Sequence, residues 1–387
     1  MLPNSSVLVA ACLTATACAV ASPVAGVLPV ASKASLTDKV PRPFVFGDKD
    51  RYVWGASVVK GDDGNYHFYY DRWARDNPRG MYGWLYDTEI AHAVARRPEG
   101  PYTTTGVVIA SRHGDDPKHW DAMNAHNAMI ARMAGPDGKI RYYLYFISNH
   151  DTGLTKSDWH NHVYGQRIGV AVSDKPEGPF VRSPQPACEP NGIGTLYTVN
   201  PGVTRLPDGR YLMVLKSRVA GPPKPGGEPN PGPMIHCWAT ADIPEGPFKI
   251  QAKPLFPPSL SAEDPCVWVA NGRVHAAVKD WHGKVSGTPG IARVDGTLAA
   301  DGDIVWSVPK DALISPRRLR WSDGSVTPVH ALERPYILCD DNGRPTHLFA
   351  ACSVGNEFAG SVQTGRKPGR PPAPTEAMPF NICLPLE

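Results

Sequence analysis

The sequence predicts an all-β protein, a five-bladed β-propeller with four antiparallel strands in each blade. Three observations support this fold class. A short motif recurs five times at a spacing of roughly 70 residues, which is typical of stacked or radial repeats. A glycine- or asparagine-containing turn and a β-rich run follow each copy. The tetrapeptide Pro-Glu-Gly-Pro then occurs in the first three copies at the same place in the repeat.

The repeated motif is a polar or small residue that opens an apolar run. Its copies occupy positions 54–58, 126–130, 199–203, 263–267 and 333–337. In the first copy the turn is Asp62-Asp63-Gly64 and the following run is "YHFYY", and the other copies are built alike. A glycine turn between two β-rich runs predicts a β-hairpin. The first and second strands of each blade therefore come from this part of the repeat.

The third and fourth strands are joined by a proline–glycine turn. The stretches "ARRPEGPY", "SDKPEGPF" and "ADIPEGPF" place Pro-Glu-Gly-Pro after a third β-rich run, and these residue types favour a tight turn. The alternative is a β-sandwich whose segments resemble one another by accident. Three copies of the turn in matching register favour the propeller, which protects its strand edges by radial repetition.

The last two copies are less regular. Residues 290–306 keep a third and a fourth strand but lack the Pro-Glu-Gly-Pro turn. The last blade must be closed by another stretch, and we expect either the C-terminal "FNICLPL" or "RPFVFG", which precedes the first copy, to supply that strand. The proline- and glycine-rich residues 360–379 predict a surface loop.

Composition excludes several classes of protein. Hydrophobic residues make up 42% and charged residues 20% of the 387 residues, as in an ordinary globular protein rather than a disordered or fibrous one. A net charge of +3 with both signs interspersed gives no footprint for nucleic acid. No stretch after the N-terminus approaches the roughly 18 apolar residues of a membrane span.

The first 21 residues are predicted to be a secretory signal peptide. They are apolar and end in Ala19-Val20-Ala21, a small-residue cleavage pattern, although no Lys or Arg precedes the apolar run. We therefore expect a secreted or periplasmic protein with one catalytic propeller domain at 40–387. Six of the eight cysteines remain after cleavage; they either pair as disulfides or serve as small buried apolar side chains.

The mouth of the propeller channel is the predicted site. The first strand of each blade lines the channel, so the residues that open these strands meet around one axis and form a pocket. A ring of amides, carboxylates, arginine, histidine and tryptophan suits a sugar, whose hydroxyls need hydrogen-bond partners and whose apolar face packs on an aromatic ring. We call the second residue of each copy the inlet position; it holds Gly55, Asn127, Asn200, Asp264 and Arg334.

This pattern resembles a known group of enzymes. The Asp-Pro motif, the Glu-Gly-Pro turns and the stretches "VWGASVV", "EDPCVW" and "ERPYIL" resemble the five-bladed glycoside hydrolases of family 43 and the related family 117, over nearly all of the mature chain. The resemblance implies hydrolysis of glycosidic bonds, mostly with inversion, by carboxylates that project into the funnel. It also implies that a histidine can replace one carboxylate as the acid, as in family 117.

The chain departs from family 43 at the catalytic base. That family carries the base as the Asp of Asp-Pro in the first blade, where this chain has Gly55-Ala56. Its own Asp-Pro lies in the fourth blade, at Asp264-Pro265. Glu263-Asp264-Pro265 follows a blade that carries Asn200-Pro201. This arrangement also resembles the glycoside phosphorylases of family 130. Phosphorolysis and a catalytically inactive sugar-binding propeller therefore stay as alternatives to hydrolysis.

Four carboxylates are the candidate catalytic residues, because glycoside hydrolysis needs a proton donor and a base or nucleophile. Asp264 is the first choice, although a turn-capping Asp is the plainer interpretation. Glu263 and Glu333 occupy equivalent places in adjacent blades, and Glu333 could instead form an ion pair with Arg334. Asp121 could reach the pocket from a loop, or face solvent as most loop Asp residues do.

The predicted substrate-binding residues surround these acids. His126 could act as an acid in the family 117 manner, bind a hydroxyl or be structural, and Glu89 could pair with His92. His67, His275 and His347 fall within second strands and are expected to pack between blades. The full predicted set is Trp54, Arg72, Glu89, His126, Asn127, Asn200, Lys216, Asp280 and Arg334.

The sequence thus predicts an exported hydrolase with a poly- or oligosaccharide as its partner. No metal-ligand spacing and no glycine-rich phosphate loop is present, so we expect neither a metal nor another cofactor. Water is the expected second substrate.

Overall fold

The computed structural model describes residues 45–113, 116–260, 262–358 and 378–386. Within them the chain forms five antiparallel four-stranded blades, which confirms the predicted five-bladed β-propeller. The signal peptide predicted at 1–21 and most of the loop predicted at 360–379 lie outside the described residues. No helix in the described part of the chain is long and apolar enough to cross a membrane.

The first three blades each use four consecutive strands, which follow the short strand β1 (Val45–Phe46). Blade one contains β2 (Arg51–Lys60), β3 (Tyr66–Ala74), β4 (Glu89–Ala95) and β5 (Thr103–Ile109). Blade two contains β6 (His126–Ala134), β7 (Ile140–Ser148), β8 (Arg167–Ser173) and β9 (Val181–Arg182). Blade three contains β10 (Val199–Arg205), β11 (Tyr211–Gly221), β12 (Asn230–Ala241) and β13 (Lys249–Ile250).

The fourth blade carries an additional strand. It contains β14 (Glu263–Ala270), β15 (Arg273–Asp280), β16 (Gly290–Leu298) and β17 (Ile304–Ser307), and β18 (Leu313–Pro316) also pairs with β16. A small hairpin of β19 (Arg318–Arg320) and β20 (Val326–Pro328) then leads to the fifth blade.

Both ends of the described chain complete the fifth blade. Its inner strands are β21 (Ala331–Cys339) and β22 (Pro345–Ser353), followed outward by β23 (Phe380–Pro385) and then β1. Val45 pairs with Ile382 and Phe46 with Asn381. The sequence predicted that one of two segments would close this blade, whereas the structure uses both, one as the third strand and one as the fourth.

The Pro-Glu-Gly-Pro turns are structurally equivalent, as their matching register predicts. The glycine before the second proline has φ between 90° and 92° in all three turns, a left-handed value that glycine adopts without steric cost. The glycines are Gly100, Gly178 and Gly246, and each precedes a cis proline.

Apolar side chains of neighbouring blades pack between the sheets and form the core. The first strands β2, β6, β10, β14 and β21 contact one another around the axis. His347 contacts Glu99 of blade one, as its predicted place between blades requires. His67 pairs instead with His92, and His275 with Asp295, inside their own blades.

The six cysteines that the structure describes are all free, and five of them are buried. Burial raises the pKa of thiols such as Cys266 and Cys237, to about 12 in each. They therefore behave as small apolar side chains, which was one of the two predicted alternatives.

Two short elements lie between second and third strands, on the same end of the propeller as the strand openings. A 3₁₀ turn at Gly80–Leu85 follows β3, and helix α1 (Asp158–Tyr164) follows β7. Ser157 caps α1 by accepting a hydrogen bond from the backbone N–H of His160. Both elements carry aromatic side chains that wall the cavity described below.

A buried hydroxyl joins blades one and two, and its removal should destabilise the fold. Ser57 is fully buried, and its Oγ accepts a hydrogen bond from the backbone N–H of Ile130 at 3.0 Å. Ser57→Ala leaves that N–H without a partner, which costs about 1–3 kcal/mol. The midpoint of urea-induced unfolding should fall accordingly. Ser322→Ala, at an exposed turn, is the control; equal midpoints for the two variants would contradict the assigned role of Ser57.

Candidate active site

The inlet position has the same unusual backbone in every blade. Its φ is 62° at Gly55, 58° at Asn127, 57° at Asn200 and 53° at both Asp264 and Arg334. The pairing register between the first and second strands shifts at this place in all five blades. Glycine, asparagine and aspartate tolerate left-handed backbone better than other residues. The residue types of four copies thus fit the geometry, and Arg334 is the exception.

The five inlet residues line a narrow channel of about 40 Å³ on the propeller axis. Asp264 is buried there and accepts hydrogen bonds from the side-chain amide of Asn200 and, at 3.3 Å, from the backbone N–H of Arg334. Its Oδ1 lies 3.2 Å from Nη1 of Arg334. The first-choice catalytic residue is therefore the anchor of an arginine at the centre of the molecule.

A larger cavity of about 480 Å³ adjoins this channel and shares Asn127, Asn200 and Arg334 with it. Its walls are rich in aromatic side chains, which come from strands β2 and β3, from the 3₁₀ turn and α1, from the segment before β10, and from the segments after β15 and β22. Such a lining, with a few polar groups, is typical of a site for a small molecule or a sugar. The aromatic residues are Trp54, Trp73, Trp84, Trp159, Tyr197, Trp281 and Phe358.

One buried ammonium group joins two candidate carboxylates in this cavity. Nζ of Lys279 lies 2.7 Å from Oε1 of Glu333 and 3.2 Å from Oε2 of Glu263. A second lysine, Lys216, lies 3.5 Å from the other oxygen of Glu263. Glu263 and Glu333 are thus brought together as the repeat predicts, and Lys216 with them.

The surroundings push the pKa values of the two glutamates apart. Burial alone would raise the pKa of Glu263, but Lys216 and Lys279 outweigh it and hold this pKa below its usual range. Burial raises the pKa of Glu333 in spite of Lys279. Two titratable groups whose environments separate their pKa values are the pattern of an acid and a base.

Asp71 is a further carboxyl group of the cavity that the predicted set lacks. Its two oxygens accept the backbone N–H groups of Asn127, at 2.8 Å, and Ala128, at 3.2 Å. Burial raises its pKa to about 7. Asp71 lies opposite Trp54 in the strand register, so its place at the end of the second strand of blade one was the available signal.

His126 lines the cavity as a neutral imidazole. Its Nδ1 faces Oδ1 of Asn127 at 3.2 Å, an oxygen that only accepts, so Nδ1 carries the hydrogen. Burial, and then the positive charge of Arg334, lower its pKa to about 3. Nε2 is buried and has no hydrogen-bond partner among the described residues. An unpaired acceptor of this kind suits a hydroxyl group of a bound ligand.

Unpaired donors lie beside this acceptor. Within the described part of the chain, Nδ2 of Asn127 and Nε of Arg334 are also buried without a hydrogen-bond partner. Both residues line the cavity as well as the channel. Donors and an acceptor that are left unpaired at one place are what a polyhydroxylated ligand would satisfy.

A histidine–glutamate pair at the cavity was not predicted from the sequence. Glu357 is buried and its Oε2 accepts a hydrogen bond from Ser353 Oγ at 2.6 Å. The same oxygen lies 3.2 Å from Nδ1 of His330, a half-exposed side chain. Glu357 follows β22, outside the repeated motif, so no periodic signal marked it.

Other predicted residues do not line the cavity. Asp121 is buried, with His119, Arg112 and Arg182 around its carboxylate. Asp280 accepts the backbone N–H groups of residues 284–286 and shapes the loop after β15.

Arg72 and Glu89 also stay outside the cavity lining. They form an ion pair at 2.9 Å with each other. The predicted contact of Glu89 with His92 is therefore absent, and His92 bonds His67 and Thr105 instead. Among the residues that the structure describes, no group of three or more His, Cys, Asp or Glu side chains is placed to hold a metal ion.

Comparison with known proteins supports the fold. No protein-family profile matches the chain. A xylosidase/arabinosidase 43A of Humicola insolens is 41% identical over 80 residues, which is 21% of this chain and 19% of that protein. The chain therefore matches about a fifth of the length of this curated relative.

Solved structures resemble the chain over most of its length. A family 117 glycoside hydrolase of Zobellia galactanivorans has a TM-score of 0.53 at 15% identity, covering 87% of this chain and 86% of that one. An alpha-L-arabinofuranosidase of Lactobacillus brevis has a TM-score of 0.53 at 14% identity, covering 89% and 94%. The fold is thus the five-bladed propeller seen in glycoside hydrolases, which confirms the predicted resemblance at the level of fold.

The left-handed backbone of Arg334 can be tested by two substitutions. Arg334→Gly and Arg334→Ala both remove the guanidinium group, but only alanine keeps a Cβ at φ 53°. The glycine variant should therefore be more stable to urea by about 1 kcal/mol. At Arg132, an exposed position within strand β6, the order should reverse, because glycine weakens a strand. An alanine variant at 334 as stable as the glycine variant would contradict the strained backbone.

Proposed function

We propose that this protein is an exported glycoside hydrolase that cleaves a poly- or oligosaccharide bound in the 480 Å³ cavity. The observation that carries this proposal is the pair Glu263 and Glu333, which share the ammonium group of Lys279 inside an aromatic-walled cavity. The glycoside hydrolases with the same fold, and the xylosidase/arabinosidase that matches part of the chain, support the same class of reaction.

The two glutamates would have different tasks. Glu333, whose pKa is raised by burial, keeps a proton and donates it to the oxygen of the leaving group. Glu263, whose pKa the lysines hold low, stays ionised and acts as base or nucleophile. Lys279 contacts both, so it holds the pair in place and shares the change of charge as the proton moves.

The remaining polar residues would bind the sugar or position the acids. His126 is neutral and presents an unprotonated Nε2. It would therefore accept a hydrogen bond from a substrate hydroxyl rather than act as the acid. Asn127 and Arg334 would donate to hydroxyls. Asp264 and Asp121 do not line the cavity, so neither would contact the substrate. The carboxylate of Asp264 would position Arg334, and Asp121 would stabilise its own loop through Arg182.

The separation of the two glutamates bears on stereochemistry. Their oxygens contact the same nitrogen at 2.7 and 3.2 Å, so they cannot be farther apart than these two distances together. That limit is closer to the ~5–5.5 Å of retaining enzymes than to the roughly 6.5–9.5 Å of inverting ones. The inversion expected from family resemblance would need a carboxyl group at a greater separation, and Asp71 of blade one is a further carboxyl group in the cavity lining.

Phosphorolysis is less well supported than hydrolysis. It needs cations free to bind phosphate, yet Lys216 and Lys279 pair with glutamates and Arg334 pairs with Asp264. Arg72, a cation of the predicted substrate-binding set, pairs with Glu89 outside the cavity lining. An inactive sugar-binding propeller would keep the aromatic walls but would not need two glutamates with separated pKa values.

Export is part of the proposal and rests on the sequence of the first 21 residues. Mass spectrometry of the protein recovered from the medium or periplasm should give a chain that begins at Ser22. Intact Met1 in a protein that stays inside the cell would contradict it.

Removal of either glutamate should abolish hydrolysis without unfolding the protein. We expect Glu333→Gln and Glu263→Gln each to lower kcat/KM by about 10²–10⁴-fold, measured on arabinosides, xylosides and a wider panel of oligosaccharides. Glu333→Gln leaves Lys279 paired with Glu263, so its thermal unfolding should change little. Glu263→Gln also removes the partner of Lys216 and should lower the unfolding temperature, although the protein stays folded. Glu189→Gln, which removes an exposed ion pair with Arg167, is the control. Full activity of Glu333→Gln would show that Glu333 is not the acid. A loss of this size in Asp264→Asn, with both glutamine variants active, would assign the reaction to Asp264.

The pH dependence separates the two roles. Activity should fall as the pH rises through the pKa of Glu333, because the acid loses its proton, and Glu333→Gln should lack this alkaline limb. The acidic limb of the activity profile should lie below the usual pKa range of glutamate, because Glu263 stays ionised there.

The same assays distinguish the alternative functions. Formation of product only in the presence of phosphate would indicate phosphorolysis, and sugar binding without product would indicate an inactive propeller.

The anomer released first identifies the reacting pair. NMR spectroscopy of the product in the first minutes should show retention if Glu263 and Glu333 act together. Inversion, accompanied by inactivity of Asp71→Asn, would instead assign the second carboxyl group to blade one.

A further inference from the structure

Two of the three Pro-Glu-Gly-Pro turns, at the end of the propeller opposite the strand openings, accept a hydrogen bond from a tyrosine of the preceding blade. Tyr69 of blade one donates its hydroxyl to the carbonyl of Pro176, in the Pro-Glu-Gly-Pro turn of blade two. Tyr145 of blade two donates in the same way to Pro244 of blade three, at 2.6 Å. In the strand register, each tyrosine lies opposite the residue two places after the inlet position of its own blade. The two tyrosines therefore occupy equivalent positions.

The third Pro-Glu-Gly-Pro turn, at the junction between blades five and one, lacks this contact. Phe349 occupies the equivalent register, opposite Tyr336, and has no hydroxyl to donate. The carbonyl of Pro98 in the turn of blade one is bonded at 2.8 Å by Tyr102, which belongs to the same blade. Blades two and three have Phe180 and Phe248 at the place of Tyr102. The hydroxyl group that donates to the turn carbonyl thus belongs to blade one itself, not to the preceding blade five.

A cavity of about 190 Å³ lies at this junction. Its volume equals that of about six water molecules in the liquid. None of its lining residues lines the catalytic cavity. Aromatic rings form much of its wall, with Phe68 in contact with Phe46, Tyr102 and Phe349 at centroid distances of 5.0, 4.7 and 6.1 Å.

An unpaired amide lies in this wall. Asn381 is 1% exposed, and neither Nδ2 nor Oδ1 has a hydrogen-bond partner in the described part of the chain. A buried amide without partners costs free energy, so it needs a partner in the cavity.

The cavity also carries a net negative charge. Glu99, from the Pro-Glu-Gly-Pro turn, is the charged side chain among the described residues that line it. His347 lies 3.4 Å from this carboxylate, but burial lowers its pKa, so it is neutral near pH 7 and does not cancel the charge. Cys383 is a protonated thiol there, because burial raises its pKa.

We propose that this cavity binds a small organic ammonium ion. Aromatic faces attract such cations, Glu99 complements the charge, and Asn381 hydrogen-bonds a hydroxyl or ammonium group on the ligand. The ammonium group can belong to an alkylammonium such as choline or to an amino sugar, which share this chemistry. The site is independent of glycoside hydrolysis and would exist in a protein without that activity.

Ligand-observed NMR titration of the whole mature protein tests the proposal. Choline should bind at least about tenfold more tightly than 3,3-dimethylbutan-1-ol, its neutral isostere. Glucosamine, compared with glucose, tests the amino-sugar source in the same way. Glu99→Gln keeps the shape of the site and should abolish the preference for the charged ligand. Phe349→Tyr should weaken choline binding, because its hydroxyl enters the cavity.

Glu177→Gln is the matched control. Glu177 occupies the same place in the turn of blade two, where Tyr69 fills the junction, and it is exposed. This variant should bind choline as the parent protein does. Equal affinity for choline and its isostere, no signal from either at millimolar concentration, or unchanged binding in Glu99→Gln would overturn the proposal. Glucosamine binding no tighter than glucose binding, with choline binding still lost in Glu99→Gln, would exclude an amino sugar as the source of the ammonium group.

Discussion

The left-handed residue at the inlet position of each blade is the constraint on which the site depends. It accompanies the register shift between the first two strands, and in four of the five blades it brings a polar side chain to the channel on the axis. Most residue types are strained there, so the position is confined to glycine, asparagine and aspartate unless another interaction compensates. The compensated exception is Arg334, which is held by Asp264 at the centre of the ring. The same backbone geometry thus positions a cation where five blades meet.

The cations at the cavity are held by contacts with carboxyl groups of the protein. Lys279 contacts Glu263 and Glu333, Lys216 contacts Glu263, and Arg334 contacts Asp264. Buried charges of this kind are tolerated only when each has a partner of opposite sign. A substrate that enters therefore meets groups that are already oriented and need little rearrangement, which is how fixed dipoles and charges favour a transition state.

Much of the fold could be predicted from the sequence, because the repeat makes each blade evidence for the others. The three Pro-Glu-Gly-Pro turns fixed the register of the third and fourth strands, and the inlet positions identified the residues that meet at the axis. Residues outside the repeat gave no such signal. Glu357 lies in the segment after β22. Trp84 and Trp159, which line the cavity, lie in insertions of unequal length between second and third strands.

The partners of each side chain could not be predicted either. Asp264 and Glu263 are neighbours in sequence, yet Asp264 lines the channel and Glu263 lines the cavity. Asp121 has suitable chemistry but lies among arginines that fold its loop. Sequence spacing places residues on a strand, whereas burial and pairing decide which of them remain free to contact a ligand.

The hydrogen bonds between β1 and β23 join residues that are more than 300 positions apart. The ring is therefore still open when the ribosome has made four blades, and it closes only after the last strand has been synthesised. Folding of such a chain depends on a contact of very long range, which slows the search for the native state. A nascent chain with an open ring would present its inner edges to other molecules, so chaperones are expected to matter more during its synthesis than for proteins whose termini are structurally independent.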